Sequence, residues 1–568
     1  MSEPSLKKVK PEPTAVLHPG LLNQSTETRR SIRDQCLSNA PFPHYQIPVL
    51  CTPEHMRKVH VECVEELQST FKETDLFKLY QTIDLGNLQL SNPLAKKLPA
   101  LLKLRNALYT TEFRQYMSDI TGCGPLNDKV DCAANVYMAG CHLLPHDDVI
   151  GTRCISYVIY LSDPDDEWTA ADGGALELYP SESSGVPALV PTAFALPTYN
   201  SLALFPVAPG ISFHSVQEVY ADKPRLSIQG WFHQDQAPVG VDEATATQLT
   251  AIEASQRPFE PVEVESDDQL TEAELATLTP FINAIYLTKD TLEQIQDAFQ
   301  GTGSIQLQSF LTAQWASAID TATRAADSAD QLGHGKVPAY TAGYSTDDSN
   351  HWTPQGPLFL QRYLRYTGAA LAASEVLKLQ SSLTDAKDVN TTKAGATPSS
   401  PSSPGRLLAH VQTALVQSPA FVKWLSLATG VSPTGSRSEV RRLRPGLDYT
   451  LAHQAATSSP PIILDAVLCF CDDVSQEGDA EAPWSASGYE CYMRAVADGV
   501  GDVAAAAFNG GDSTDEDDDA APVQIGAQNN TLSLVVRDTS TMKFVKFVSC
   551  RERGSRWDVN VEYTLPNP

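Results

Sequence analysis

The chain has 568 residues, of which 42% are hydrophobic, and its 41 basic and 69 acidic side chains give a net charge of −28. So negative a protein is not expected to bind nucleic acid directly, because that binding depends on neutralising phosphates; a basic protein is the more natural partner. No apolar run approaches the roughly 20 residues that cross a bilayer, so we expect no membrane association.

Two features bear on the cellular compartment. The eleven cysteines include no C-x-x-C pair, and several, such as Cys154 and Cys469, lie in apolar strand-like runs. This pattern indicates buried, reduced thiols rather than a disulfide framework. Near the N-terminus, the basic cluster LKKVKP is either a nuclear-import signal or part of a solvated tail. We therefore expect a cytoplasmic and nuclear protein.

The N-terminal part of the chain is predicted to be helical after a disordered tail. Residues 1–30 are polar and contain several prolines, which predicts disorder. Further on, Val59, Cys63, Leu67 and Phe71 recur every four residues, as in a helix. The stretch NPLAKKLPALLKLRNALYTTEFRQYMSDITG predicts one or two more helices, ended by a glycine.

From residue 132 to residue 232 the pattern changes to short runs rich in β-branched and aromatic residues, among them CISYVIYL, SLALFPV and RLSIQGWF. Gly, Pro, Asp and Asn separate these runs, as they separate the strands of a sandwich. We assign residues 31–236 to one domain, and we expect it to be the catalytic one for the reasons given below.

A second domain is predicted after a linker over residues 237–268. Residues 269–568 repeat the order of helices followed by strands, which suggests that the two domains are related. Two segments within this domain, near 385–405 and 509–522, have the composition of surface insertions. The sequence therefore predicts an α+β protein made of two domains of similar construction.

Two His-x-Asp motifs occur, HDD at residues 146–148 and HQD at residues 233–235. A structural role is the better expectation for either motif alone. The first is followed by His214 and then by Arg225 and Ser227, whereas the second is followed by the linker, with no nearby histidine or arginine in this arrangement. The turn sequence ADKP lies between His214 and Arg225, so we expect them on neighbouring antiparallel strands. Arg225 and Ser227 should share one face, because strand side chains alternate.

Two histidines and one carboxylate form the facial set of non-haem Fe(II) oxygenases, which leaves three positions for a co-substrate and O₂. An inward arginine supported by a serine suits a co-substrate with a distal carboxylate, because a guanidinium binds a carboxylate through two hydrogen bonds. The same ligands, His146, Asp148 and His214, could instead hold the zinc ion of a hydrolase. Arg225 and Ser227 argue against that alternative, because hydrolysis needs no dicarboxylate clamp.

These residues resemble the signature of the Fe(II)/2-oxoglutarate dioxygenases, which share a double-stranded β-helix of the jelly-roll type. The stretches NVYMAGCHLLPHDDVIGTRCISYVIYL and SLALFPVAPGISFHSVQEV are more specific, as is LVVRDTSTMKFVKFVSC in the second domain. They are similar to the family of the yeast termination-and-polyadenylation protein, the fission-yeast oxygenase-domain regulator and the animal ribosomal prolyl 3-hydroxylases.

The resemblance implies a role for each site residue. His146, Asp148 and His214 would hold Fe(II), and Arg225 would bind the C5 carboxylate of 2-oxoglutarate. Tyr137 and Ser227 would support the same carboxylate, although Tyr137 alone could equally be a core aromatic residue. O₂ would be the second co-substrate and ascorbate the reductant.

The implied reaction is hydroxylation at C3 of a proline in the small-subunit ribosomal protein of the decoding centre, with an effect on translation accuracy and termination. The alternative is an oxygen-responsive regulatory protein whose C-terminal domain controls the stability of a transcription factor. Regulators of translation termination or of transcription are therefore further candidate partners.

The second domain departs from the family's metal motif. RPGLDYTLAHQA resembles MAGCHLLPHDD in position, but His453 is followed by Gln454 and Ala455, so a carboxylate ligand is missing. TMKFVKFVSC offers no second histidine. The sequence therefore predicts a degenerate copy of the double-stranded β-helix, without iron and without catalysis.

Overall fold

The computed structural model describes residues 16–566 except for 90, 183–184, 264–267, 346, 348, 382–402, 454–461, 473–487 and 495–521. The described residues form two compact units, one up to residue 251 and the other from residue 252 onward. All eleven cysteines are free, and nine of them are buried. Among the described residues, no helix combines the length and hydrophobicity needed to cross a membrane.

The first unit consists of four helices that precede or interrupt an eleven-stranded antiparallel sheet. The helices are α1 (Thr26–Ser38), α2 (Pro53–Glu66), α3 (Pro99–Leu108) and α4 (Thr111–Thr121). The strands are β1 (Tyr45–Ile47), β2 (Thr70–Glu73), β3 (Phe77–Gln81), β4 (Asp131–Tyr137), β5 (His142–His146), β6 (Arg153–Tyr160), β7 (Leu176–Leu178), β8 (Ala193–Ala195), β9 (Leu202–Pro206), β10 (His214–Val216) and β11 (Arg225–His233).

The strands are ordered β1-β9-β6-β11-β4-β3-β5-β10-β7-β8, with β2 beside β3. Strand β3 pairs with β4 at one end and with β5 at the other, so the sheet turns over there into two layers. The layers face each other through a buried apolar cluster that includes Tyr160 and Phe205 from one layer and Leu176 and Leu178 from the other. Helices α2, α3 and α4 cover the outer face of the layer with the longer strands. This is a double-stranded β-helix with flanking helices, as predicted.

Two boundaries differ from the predicted ones. Helix α2 ends at Glu66, and Phe71 lies on β2, because Thr70–Glu73 pair with β3 instead of continuing the helix. Residues 1–15 of the predicted tail lie outside the described residues, but Leu17, also within that tail, is buried. Helix α1 then begins at Thr26, where the Ser25 side chain caps it.

The predicted linker contains a helix, α5 (Val241–Ser255), none of whose residues is buried. Its sequence is rich in alanine and in glutamate and glutamine, which favour helices even without a core to pack against. A segment that buries no side chain can therefore still be helical. The two predicted insertions fall almost entirely outside the described residues, in 382–402 and 495–521.

The second unit contains helices packed against a sheet of the same design. The helices are α6 (Glu272–Leu278), α7 (Lys289–Thr302), α8 (Ala313–Ala329), α9 (Ala373–Ser381), α10 (Pro404–His410) and α11 (Pro419–Thr429). The strands are β12 (Glu260–Pro261), β13 (Ser304–Leu307), β14 (Trp352–Gln355), β15 (Gln361–Tyr366), β16 (Gly435–Leu443), β17 (Tyr449–Thr450), β18 (Ile462–Phe470), β19 (Glu490–Arg494), β20 (Val523–Ile525), β21 (Thr531–Asp538), β22 (Thr541–Val545) and β23 (Arg556–Thr564).

Strand order in the second unit repeats that of the first. One layer runs β13-β21-β18-β23-β16-β15, and β15 also pairs with β17. The other layer runs β22-β19-β20, and the Val545 amide of β22 donates to the Thr450 hydroxyl of β17 at 2.6 Å. The order β13-β21-β18-β23-β16-β15-β17-β22-β19-β20 therefore corresponds, strand by strand, to the order β1-β9-β6-β11-β4-β3-β5-β10-β7-β8. The second unit is a copy of the first double-stranded β-helix.

Candidate active site

Two histidines and one aspartate meet between the layers of the first unit. Pairing of β5 with β10 places His146 directly opposite His214. The Asp148 carboxylate lies between them, with Oδ1 3.4 Å from His146 Nε2 and Oδ2 3.4 Å from His214 Nε2. All three side chains are buried, and their candidate ligand atoms lie within 4.8 Å of one another. The geometry therefore suits a single metal ion.

Backbone carbonyls fix both imidazoles in the orientation that metal binding needs. His146 Nδ1 lies 2.9 Å from the Leu144 carbonyl oxygen, and His214 Nδ1 lies 2.9 Å from the Ser212 carbonyl oxygen. A carbonyl only accepts hydrogen bonds, so each Nδ1 carries a proton and Nε2 is the nitrogen that is left to bind a metal ion. Both Nε2 atoms face Asp148.

Asp148 is held in its position by the backbone and by its electrostatic surroundings. Its φ of 60° lies in the left-handed region, which Asp and Asn adopt more readily than most residues. Burial alone would raise the pKa of the Asp148 carboxyl, but the adjacent His214 and His146 hold that pKa well below its usual range. The site thus presents a carboxylate and two imidazole nitrogens, the ligand set of non-haem Fe(II) enzymes.

The neighbouring Asp147 has a different role. One of its carboxylate oxygens accepts a hydrogen bond from the Gly210 amide at 3.3 Å, and its carbonyl accepts one from the Ser212 hydroxyl at 3.0 Å. Asp147 therefore joins the turn after β5 to the loop before β10. Asp147 is therefore a turn residue, whereas Asp148, two residues after His146, is the candidate ligand.

A tryptophan supports Asp148 from behind. Trp231 Nε1 donates a hydrogen bond to Asp148 Oδ2 at 3.0 Å, and the Arg153 guanidinium stacks 3.5 Å from the Trp231 ring centre. Outer contacts of this kind orient metal-binding carboxylates. Sequence reasoning missed Trp231, although alternation along β11 signals it, because residues 225, 227, 229 and 231 face the same side.

Arg225 begins β11, in the layer opposite β5 and β10, and is 1% exposed. Its Nε donates to the Gly174 carbonyl at 2.6 Å and its Nη1 to the Ser227 hydroxyl at 3.3 Å. Its Nη2 is buried and makes no hydrogen bond to any part of the chain that the structure describes. Because a buried guanidinium without a full set of partners is costly, the free Nη2 fits the carboxylate of a small-molecule ligand.

Two tyrosines stand beside the Arg225 guanidinium. Its carbon is 4.9 Å from the Tyr137 ring centre and 5.2 Å from that of Tyr160. Both hydroxyls are buried and make no hydrogen bond of normal geometry within the described residues, although the Tyr160 hydroxyl lies close enough to the Arg225 guanidinium to interact with it. The sequence indicated Tyr137 but not Tyr160. Tyr160 pairs with Ser227 across β6 and β11, so the two side chains lie on the same face of the sheet. Two hydroxyl donors and one free N–H thus converge on one small volume.

Gly174 permits this arrangement of Arg225. A side chain at Gly174 would place its Cβ 2.8 Å from Arg225 Cδ, and the φ of Gly174 is +67°. Any other residue would therefore displace the arginine and strain the backbone as well.

One prediction about the strands is wrong. His214 and Arg225 do not lie on neighbouring strands, because β10 pairs with β5 and β7 whereas β11 pairs with β4 and β6. The ADKP segment carries the chain from one layer to the other instead of forming a hairpin. The two residues consequently belong to different layers of the β-helix.

The second His-x-Asp motif is structural. His233 ends β11, with Nδ1 3.1 Å from the Thr152 hydroxyl and Nε2 3.3 Å from Asp131 Oδ2. No metal-binding cluster among the described residues includes it. This agrees with its interpretation as a strand end.

Comparisons with known proteins match both units. Residues 132–233 match the model of the 2OG-Fe(II) oxygenase superfamily, and residues 273–567 match the model described as oxoglutarate and iron-dependent oxygenase degradation C-term. Prolyl 3,4-dihydroxylase OGFOD1 of Ostreococcus tauri is 36% identical over 541 residues, which cover 92% of this chain and 95% of that protein. The chain belongs to this family of iron- and 2-oxoglutarate-dependent prolyl hydroxylases.

Two further proteins match over a shorter stretch. Prolyl 3-hydroxylase OGFOD1 of Xenopus laevis is 32% identical over 288 residues, 50% of this chain and 49% of the frog protein. A Pseudomonas putida prolyl-4-hydroxylase of known structure is 21% identical, covers 36% of this chain and 99% of its own, and has a TM-score of 0.27. The enzymes of this family use Fe(II), 2-oxoglutarate and O₂, and the ligand set and free guanidinium of this hydroxylase fit them.

Strand pairing identifies the residues of the second unit that correspond to the metal ligands of this hydroxylase. Strand β15 is the counterpart of β3. Leu143 pairs with β3 and Thr450 pairs with β15, so these two residues correspond. His146 and His453 each lie three residues further along, so His453 corresponds to His146, as predicted. The residues after His453 lie outside the described part of the chain, but their identities, Gln454 and Ala455, exclude a carboxylate.

A lysine stands at the position of the second histidine. His214 of β10 pairs with Leu178 of β7, and in the second unit Lys543 of β22 pairs with Tyr492 of β19. The ammonium of Lys543 lies 3.3 Å from Asp465 Oδ1 and 3.2 Å from the amide oxygen of Asn560. A charged ammonium only donates hydrogen bonds and cannot bind a metal. The described residues of this unit accordingly contain no metal-binding cluster.

Proposed function

We propose that this protein hydroxylates C3 of a prolyl residue in a small-subunit ribosomal protein of the decoding centre, and thereby affects the accuracy and termination of translation. The observation that carries the proposal is the buried cluster of His146, Asp148 and His214 together with a buried arginine, Arg225, whose Nη2 has no hydrogen-bond partner among the described residues. The relatives named prolyl 3-hydroxylase and prolyl 3,4-dihydroxylase support a prolyl substrate.

The residues form two groups, one that would bind the metal and one that would bind the co-substrate carboxylate. His146, Asp148 and His214 would hold Fe(II) through Nε2, one carboxylate oxygen and Nε2. When bound together, Fe(II) and 2-oxoglutarate activate O₂ for oxidation of a substrate C–H bond, with release of succinate and CO₂. Arg225 and the hydroxyls of Tyr137 and Tyr160 would hold the C5 carboxylate, with Ser227 positioning the guanidinium. The buried site excludes bulk water, which strengthens these contacts.

Charge supports a ribosomal partner. A chain with a net charge of −28 attracts basic proteins, and ribosomal proteins are basic. We place the protein in the cytoplasm and the nucleus, where such substrates are made and assembled, and we propose ascorbate as the reductant that restores Fe(II).

The test uses purified full-length protein with Fe(II), ascorbate, 2-oxoglutarate and small ribosomal subunits from cells that lack this protein. Succinate should form in step with the gain of one oxygen atom on a prolyl peptide, measured by mass spectrometry. A gain of two oxygen atoms would identify a dihydroxylase. If the enzyme turns over 2-oxoglutarate with other peptides but leaves every ribosomal peptide unchanged, the proposed substrate is wrong.

Two asparagine variants test the ligand assignment. Asn tolerates the left-handed backbone at residue 148, so Asp148→Asn removes the charge without the strain that alanine would add. It should abolish turnover while thermal stability is largely retained. Asp147→Asn is the matched control, because its amide oxygen still accepts from Gly210. Loss of activity in Asp147→Asn alone would contradict the assignment.

A regulatory role of the second unit is a further candidate, favoured by the family model of residues 273–567, whose description refers to degradation. In that case the full-length Asp148→Asn variant should still lower the level of a transcription factor in cells. If every cellular effect disappears with the iron site, catalysis alone accounts for them.

A further inference from the structure

The second unit retains an arginine at the position of Arg225. Strands β11 and β23 both have nine residues and both begin with arginine, Arg225 and Arg556. Each guanidinium donates to the carbonyl of a glycine that lies two residues before a strand of the opposite layer. These bonds are 2.6 Å to Gly174, before β7, and 2.7 Å to Gly488, before β19. The two arginines therefore occupy equivalent places in the two copies.

The partners of the two arginines differ. In the first unit Nη2 of Arg225 has no partner among the described residues. In the second unit Nη2 of Arg556 donates to Glu490 Oε1 at 2.8 Å, and Nε donates to Asp558 Oδ2 at 3.1 Å. Every nitrogen of Arg556 is thus used. A glutamate carboxylate lies where the first unit offers a free N–H to a ligand.

The sequence positions of the two carboxylates match this picture. Asp558 lies two residues after Arg556, as Ser227 does after Arg225, and so replaces the supporting serine. Glu490 lies two residues after Gly488, which is the position of Leu176 after Gly174. The second unit thus has two acids where the first unit has one apolar and one small polar residue, and these acids bind its arginine.

A second arginine completes a group without net charge. Arg441 donates to both oxygens of Asp558, at 2.7 and 2.9 Å, and lies 3.9 Å from Glu490. Two guanidinium groups and two carboxylates, all buried, then balance each other. Buried charges persist only when they are paired and hydrogen-bonded, and all four groups of this quartet meet that condition. Glu439 also interacts with Arg441 and accepts a hydrogen bond from the Tyr363 hydroxyl.

We propose that the second unit contains a carboxylate clamp permanently occupied by the chain's own Glu490, which stands in for the distal carboxylate of a dicarboxylate ligand. This unit therefore excludes 2-oxoglutarate, and each chain binds one molecule of the co-substrate. The statement about the number of co-substrates rests on the proposed function of the first unit; the occupied clamp itself does not.

Removing the internal carboxylate tests the clamp. Glu490→Ala deletes a fragment that corresponds to acetate and leaves Arg556 without its partner. In the full-length protein, the unfolding temperature of the second unit should fall by on the order of 10 °C. Sodium acetate should restore most of that loss in a saturable manner, whereas sodium chloride at equal ionic strength should not. Wild type should show no specific response to acetate.

A double variant separates the clamp from general damage. Glu490→Ala with Arg556→Met removes both charges, so it should fold but show no response to acetate. If Glu490→Ala fails to fold, its yield on refolding should rise in acetate and not in chloride, and the double variant should refold equally in both. An equal acetate response in the single and double variants would overturn the proposal.

Counting the co-substrate completes the test. Calorimetry with Mn(II)-loaded wild type should give one 2-oxoglutarate per chain, and Arg556→Met should leave that number unchanged. Arg225→Met should abolish binding. Two molecules per wild-type chain would overturn the occupied clamp, whereas no binding at all would contradict the proposed function of the first unit.

Discussion

Trp231 should control how tightly the metal binds. Its indole N–H donates to Asp148 Oδ2 at 3.0 Å, and Trp231→Phe removes that donor while keeping an aromatic ring for Arg153 to stack on. A hydrogen bond to a charged group contributes about 1.5–3 kcal/mol, so metal affinity should fall roughly 10- to 100-fold. The ring that remains limits the loss of stability.

The assay for this prediction is calorimetric titration of metal-free protein with Mn(II), followed by titration of 2-oxoglutarate at saturating metal. Affinity for the metal should fall, whereas affinity for the co-substrate should change little. Trp424→Phe is the matched control, because Trp424 is also buried but donates at 2.8 Å to the Tyr286 carbonyl in the second unit. If Trp231→Phe binds Mn(II) as tightly as wild type does, Asp148 is oriented without the indole and the reasoning fails.

Three further predictions concern the clamp and the second unit. Gly174→Ala should weaken 2-oxoglutarate binding, measured by calorimetry, because the added Cβ would displace Arg225. Gly151→Ala is the control: Gly151 also has a positive φ, but nothing lies within 4 Å of the added Cβ, so the backbone strain should be similar and binding unchanged. Tyr160→Phe should raise the KM for 2-oxoglutarate severalfold with a small effect on kcat at saturation, measured by succinate release. Burial by itself raises the pKa of Glu562, but Arg537 and Arg437 lower it from 4.5 to about 2, so its stabilisation is fully present above pH 4.5 and is lost as the pH falls towards 2. Glu562→Gln should remove most of this acid sensitivity in thermal unfolding measured from pH 6 to pH 3.

The candidate ligands could be selected from the sequence because a second histidine and an arginine follow the first His-x-Asp motif, although that motif alone favours a structural role and the set alone also suits zinc. The structure adds that the three side chains meet between the layers. It also places Arg225 in the layer opposite His214, since β10 and β11 belong to different layers. Tyr160 could not be found from its own strand, because only the register of β6 with β11 brings it beside Ser227.

The predicted end of helix α2 was wrong because apolar spacing alone cannot place it. The four-residue spacing from Val59 to Phe71 is equally compatible with a helix that stops at Glu66 and a strand that starts at Thr70, because Phe71 would be apolar in either. Burial does not resolve the choice, since Phe71 is 45% exposed. The pairing of β2 with β3, a contact that local sequence does not encode, decides it.

The strands β11 and β23 show how one scaffold can gain or lose a ligand site through a few alternating positions. Both begin with arginine and have inward-facing residues two and six positions later, which are Ser227 and Trp231 in one and Asp558 and Glu562 in the other. Serine and tryptophan are neutral, so they support the arginine and Asp148 without competing for them. Aspartate and glutamate instead neutralise the arginines around them, since Asp558 contacts Arg441 and Arg556 while Glu562 contacts Arg437 and Arg537. Whether such a β-helix binds small molecules therefore depends on whether its inner charges are paired by the chain itself.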